Sequence, residues 1–269
     1  MAEAFEFFGG VDFSGAKEPL ANLWTALGRE HEGKLRIVSL RPHAYRADLG
    51  AFVADGWRAA AGADGEARIL WGVDFPFGLP ASAAHHLLDE RAAWERLLPW
   101  VADRPPDEVR DAVPEALRGL RLTDSGIAPS PFDLRLYKVA VEGIRWLHEL
   151  RETADISVYP QAASGAGSTL IEVSPAATVQ ELGLPRRRAP GRPGEIRARA
   201  AALRTFLDFA DPEIEAIAVT LEDAWDAMAN CLTAYLARAD LDQPFRVGSY
   251  PRGILELEGW IYRAPATLR

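Results

Sequence analysis

Three acidic residues stand at the ends of short apolar runs or inside one. Asp12 closes Phe-Phe-Gly-Gly-Val, Asp74 closes Ile-Leu-Trp-Gly-Val, and Glu172 sits within Leu-Ile-Glu-Val. A carboxylate next to buried strands is costly unless it is paired or bound to a cation, so three such placements call for an explanation. In open α/β sheets the carboxyl ends of strands are where ligands collect. Carboxylates gathered within several Å repel and raise one another's pKa, and a divalent cation relieves this by supplying the missing positive charge. An all-oxygen donor set of this kind suits Mg²⁺ or Mn²⁺. Asp223 and Asp226 supply further oxygens: three residues apart in a helical stretch, they project from one side. Asp223 also fits a cap, since Thr220-Leu-Glu-Asp223 resembles a capping box and an acid in a first turn favours the helix dipole. Asp226, a turn further in, is therefore the stronger catalytic candidate. Asp-Phe-Ser-Gly and Asp-Phe-Pro are good turn sequences in their own right. The repeated Gly-Val-Asp-Phe endings favour a shared role over two separate turns.

The elements that must position these acids follow from periodicity. Phe5 to Asp12 predicts a central first strand, and Leu20 to Leu27 with Lys34 to Leu40 predict a hairpin beside it. Asp48 to Ala61 has helical spacing, and the continuous apolar run Arg68 to Asp74 suits a strand buried on both faces. From Ala83 to about Arg151 the chain turns Ala/Leu/Arg-rich and is broken by prolines, which predicts a helical insertion (about 83–151) within one domain spanning 1–269. Its longest helix is expected over Leu134 to Leu150. Strands are expected again at Ile156 to Tyr159 and Thr169 to Val173. Helices are expected near Glu195 to Phe209 and Leu221 to Ala239, the latter with an apolar stripe of Leu221, Trp225, Met228, Leu232 and Tyr235. An edge hairpin is expected at Ile254 to Tyr262.

The 269 residues are 48% hydrophobic and 26% charged, as in ordinary globular proteins. No apolar run is long enough to cross a bilayer, no basic leader is visible, and Cys231 is the only cysteine. A cytoplasmic location with no membrane partner is the expectation. The net charge of -9 opposes long-range attraction of a polyanion. Local charge differs: the chain has 27 Arg and 3 Lys, and seven Arg lie between Arg186 and Arg204 with Glu195 as the only acid. Nucleic acid as a partner thus rests on this basic loop alone, with Arg186, Arg187 and Arg188 as candidate phosphate contacts alongside Ser14 and Lys17 just past the first strand. His85-His86 are adjacent rather than four apart, which excludes a helical zinc-protease pair, and Ser14 and Ser174 lack a nucleophile elbow.

Gly10-Val-Asp-Phe-Ser-Gly15, Gly72-Val-Asp-Phe-Pro-Phe-Gly-Leu-Pro80, the Pro131 to Gly143 segment with Tyr137 and Lys138, Ile171-Glu-Val-Ser-Pro175, Asp223-Ala-Trp-Asp-Ala-Met-Ala229 and Glu258-Gly-Trp-Ile261 occur in this order. Together they resemble the DUF429 family of predicted ribonuclease H-like, RuvC-like nucleases. The resemblance implies an α/β fold with a ribonuclease H-like mixed five-stranded sheet, its second strand antiparallel, flanked by helices. It also implies a site in which Asp12, Asp74 and Asp226 match the metal-binding acids, Asp223 accompanies them, and Glu172 matches a Glu-Val-x-Pro-like segment. The function to expect is then Mg²⁺- or Mn²⁺-dependent hydrolysis of nucleic-acid phosphodiester bonds by a two-metal-type mechanism, with Asp12, Asp74, Glu172 and Asp226 as catalytic residues. Two other readings stay open: an actin-like or sugar-kinase-like nucleotide phosphate-binding protein, and a non-catalytic binding or scaffold protein on the same fold.

Overall fold

The computed structural model describes residues 5–16, 22–124, 126–164, 167–185, 193–239, 241–246 and 250–264. Among the described residues eight strands form one open sheet: β1 (Phe7–Asp12), β2 (Leu23–His31), β3 (Lys34–His43), β4 (Ile69–Val73), β5 (Ile156–Tyr159), β6 (Ser168–Val173), β7 (Leu207–Phe209) and β8 (Ile261–Tyr262). Their order is β5-β6-β4-β1-β2-β3-β7, with β8 paired to the end of β6. β2 runs antiparallel to both neighbours, and the remaining pairings are parallel. The β2–β3 hairpin turns at Glu32-Gly33, both with positive φ (52° and 78°), a two-residue turn whose twist matches that of the strands.

Between β3 and β4 the chain forms α1 (Arg46–Ala51), a π-helical turn at Phe52–Gly56, and α2 (Trp57–Ala61). Between β4 and β5 lie α3 (Ala81–Leu88), α4 (Trp94–Ala102), α5 (Pro106–Asp111) and the long α6 (Tyr137–Thr153). After β6 come α7 (Pro175–Glu181), α8 (Pro193–Leu203), α9 (Pro212–Thr220), α10 (Glu222–Ala237), α11 (Gln243–Arg246) and α12 (Arg252–Glu258).

Strand alternation divides the core into two layers. Phe7, Val11, Ile69, Trp71 and Val73 face one side and pack with Trp146 and Leu147 of α6. Phe8, Leu70, Ile171 and Val173 face the other and pack with Trp225, Met228 and Leu232 of α10. The sheet is thereby buried on both faces, which accounts for the continuous apolar runs of β1 and β4.

Several boundaries differ from the periodicity reading. The segment expected as one helix to Phe209 breaks after Leu203, and Leu207–Phe209 adds an edge strand parallel to β3. The expected C-terminal hairpin is instead α12 followed by β8, because Gly259 adopts a left-handed φ of 86° that ends the helix and sends the chain along β6. Leu221 is 45% exposed and caps α10 from outside, so it is not part of the buried stripe. Among the described residues no helix is long and apolar enough to cross a membrane.

Candidate functional site

Parity along the strands decides which acids meet. In the aligned rows Gly10 pairs with Gly72 and Val11 with Val73, so Asp12 and Asp74, one residue further, lie on the face covered by α10. The two glycines let that helix lie directly on the sheet. A Cβ on Gly10 would come 1.9 Å from the Ala227 carbonyl oxygen, and one on Gly72 would come 2.5 Å from that of Asn230. The first turns of α10 therefore arrive at the carboxyl ends of β1 and β4, bringing Asp223 and Asp226 beside Asp12.

The electrostatics records this convergence. The Asp12 carboxyl is pushed up from 3.8 to about 10, first by burial and then by the nearby charges of Asp74, Asp226 and Asp223. Protonated Asp12 donates a hydrogen bond to Asp74. Asp74 is raised to about 6 by burial, opposed by hydrogen bonds from the Phe13 N–H (2.9 Å), Asp12 and Asn230. Two carboxyl groups thus share one proton, the expected state of like charges at close quarters. Asn230 also donates to the Val11 carbonyl (2.8 Å), while its Oδ1, fully buried, has no partner among the described residues. A groove of about 420 Å³ opens at this point, lined by Asp12, Ser14, Asn22, Lys138 and Asp223 among others.

The donor chemistry of the cluster fits a hard dication: four carboxyl groups, a surplus amide oxygen and a proton held by burial and by mutual repulsion. Spacing is the counter-observation. Among the described residues no three His, Cys, Asp or Glu side chains are grouped so as to hold a metal ion as they stand.

Glu172 is not among the acids acting on Asp12. Its row partner is Val73, so its side chain faces away from α10, where it is 2% exposed. There it accepts two hydrogen bonds from Arg121 (2.8 and 2.5 Å) and one from the Phe77 N–H (2.9 Å). Arg121 also pairs with Asp124 (2.7 Å) and donates to the Glu258 carbonyl (2.9 Å). The Glu258 carboxylate takes the N–H groups of Ala81 (2.6 Å) and Leu122 (2.7 Å). The geometry is that of a buried ion network, and it sets Glu172, expected among the catalytic residues, apart from the acids that act on Asp12.

The capping box expected at Thr220 is also absent. Thr220 ends α9, its hydroxyl donating to the Ala216 carbonyl (2.6 Å), and no side chain caps α10. Ser14 shapes the loop after β1, its hydroxyl accepting from the Ala16 N–H (3.2 Å) at the groove. Lys17, Arg186, Arg187 and Arg188 lie outside the described residues. Lys138, which lines the groove, and Asn230, buried against Asp74, were not among the site candidates drawn from the sequence. The scarcity of lysine beside 27 arginines is the signal that singles out Lys138.

An α/β protein with an open, mostly parallel sheet and an acidic cluster at the ends of its central strands is the class these features define. The family model described as "Protein of unknown function (DUF429)" matches residues 10–245, and the chain belongs to that family. No curated protein and no solved structure matches it.

Proposed function

We propose that the chain is a Mg²⁺- or Mn²⁺-dependent phosphodiesterase acting on nucleic acid, built on a ribonuclease H-like arrangement of strands. The observation that carries the reading is the gathering of Asp12, Asp74, Asp223 and Asp226 at the carboxyl ends of two adjacent parallel strands. The strand path supports it: β3-β2-β1-β4-β6 is a five-strand segment in which β2 alone is reversed.

Asp12, Asp74 and Asp226 would hold the cation, with Asp223 beside them. When bound, the ion supplies a Lewis acid that helps ionise water and stabilises the leaving oxygen. The chain's own residues prepare the place. The Phe13 N–H and Asn230 orient Asp74, and the proton shared between Asp12 and Asp74 has to leave as the cation enters. Affinity for the ion should therefore rise with pH.

Titration calorimetry with Mn²⁺ on wild type, Asp12→Asn and Asp226→Asn, coupled to cleavage of a panel of RNA and DNA, tests the reading. Each substitution should weaken Mn²⁺ binding by about tenfold or more, equivalent to about 1.4 kcal/mol, and abolish hydrolysis. Equal metal binding by wild type and Asp12→Asn, or hydrolysis that survives in that variant, sinks it. Absence of thermal stabilisation by millimolar Mg²⁺ or Mn²⁺ would favour a non-catalytic scaffold, because a ligand bound only to the native state must stabilise it.

A further inference from the structure

We propose that the cleft adjoining the acidic groove is a subsite for one unpaired nucleotide of a single-stranded nucleic acid, with Lys138 receiving its phosphate. The inference rests on the phosphodiesterase reading of the Asp12 site. Next to the 420 Å³ groove lies a second cavity of about 670 Å³, between the loop after β1, the turn joining α4 to α5, and the first turns of α6. Gly15, Ala16 and Lys138 line both, so the cavities adjoin and Lys138 stands at their junction. A volume of this order suits a small organic ligand.

The walls are tied in place by side chains whose hydrogen bonds are spent on the protein. Arg46 donates to the carbonyls of Ser14 (3.1 Å) and Ala16 (2.6 Å) and pairs with Glu142 (2.9 Å). Arg145 donates to the carbonyls of Ala102 (3.0 Å) and Arg104 (2.5 Å) and also pairs with Glu142 (2.6 Å). Arg104 stacks on Trp100, 4.1 Å from the ring centroid, and donates to its carbonyl.

Lys138 differs. It is exposed, its ammonium lies 5.7 Å from the Tyr137 ring, and it has no carboxylate ion-pair partner among the described residues. Among the described residues it is the cation of this cleft without an ion pair, and so the one placed to meet an anion from solution. Beyond it, Pro105 and Pro106 offer a rigid apolar surface, and the exposed carboxylate of Asp103, with the oxygen of Asp107 not taken by the Tyr137 hydroxyl (2.5 Å), can accept hydrogen bonds from the amino groups of a base. A base reaches such a cavity only when it is out of a stacked duplex. A net charge of -9 and, among the described residues of the cleft, one lysine without an ion pair match a single backbone phosphate better than the two phosphate tracks of a duplex.

Fluorescence anisotropy in EDTA, with a short labelled single strand and the matching duplex, tests this on wild type, Lys138→Glu, Lys138→Ala and Ala16→Trp. Mn²⁺-dependent hydrolysis is measured in parallel. The single strand should bind about tenfold tighter than the duplex, and Lys138→Glu and Ala16→Trp should each weaken it about tenfold. Lys138→Ala should reduce the slope of log K against log salt by about 0.7, the value of one single-strand phosphate contact. A merely structural role would not move that slope. Unchanged single-strand binding in the variants, a preference for duplex, or equal competition by a free nucleoside monophosphate would overturn the proposal. Intact hydrolysis with binding insensitive to these substitutions removes the subsite alone. The expected binding pattern without any Mn²⁺-dependent hydrolysis upholds the subsite and removes the phosphodiesterase reading.

Discussion

Asp12 and Asp74 hold one proton between them because burial and the charges of Asp226 and Asp223 make full ionisation unfavourable. The sign of the pH effect follows. An acid whose folded pKa is raised, here from 3.8 to about 10, keeps its proton in the native state after the unfolded chain has released it. Without divalent cations stability should therefore fall as pH rises through that interval. Asp12→Asn removes the Asp12 titration, so its stability relative to wild type should grow from pH 5 to pH 8 by up to about 4 kcal/mol, or roughly ten degrees for a chain of this size. Thermal melts in EDTA across that range check it, and a constant difference would contradict the shared proton. Asp12 and Asp74 were legible in the sequence because a charge ending an apolar run is conspicuous. Glu172 carried the same signature for a different reason: its charge is met by Arg121, a partner from the distant helical region that no local pattern reveals.

At the scale of elements, α10 meets the sheet at Gly10 and Gly72, where backbone packs on backbone. Gly10→Ala would drive a methyl into the Ala227 carbonyl, lifting the first turns of α10 and carrying Asp226 away from Asp12. A loss of about 3 kcal/mol, typical of overpacking, is expected by chemical denaturation, together with weaker Mn²⁺ binding. The Arg121 network performs the corresponding task on the other face, tying the segment before α6 to β6 and α12. Arg121→Ala leaves buried Glu172 and Asp124 without their cation and should destabilise the fold by about 3–5 kcal/mol. Glu172→Gln should likewise lower denaturation midpoints, and hydrolysis per folded molecule should stay within a small factor of wild type. A folded Glu172→Gln protein devoid of activity would instead give Glu172 a part in catalysis. The strands β1, β4, β5 and β6 were readable from apolar runs. β7 and α9 were not, since three residues of strand and a helix with little amphipathic contrast have no periodicity to detect.

Over the whole molecule, a charge of -9 means that any attraction for nucleic acid is local and short-ranged. The slope of log K against log salt for single-strand binding should accordingly be shallow, no steeper than about -2, or roughly three phosphate contacts at most. A slope several times steeper would point to an extended basic track instead. Composition and apolar runs by themselves determined an α/β chain with buried central strands, acids at two of their ends and a helical stretch between the fourth and fifth strands. These are properties of consecutive residues, and burial and strand alternation act on consecutive residues. Tertiary structure alone decided which acids meet. Side chains one residue apart on a strand fall on opposite faces of the sheet, and the segment that completes each cluster arrives from far along the chain. That parity placed Asp12 and Asp74 beneath α10 and turned Glu172 toward Arg121.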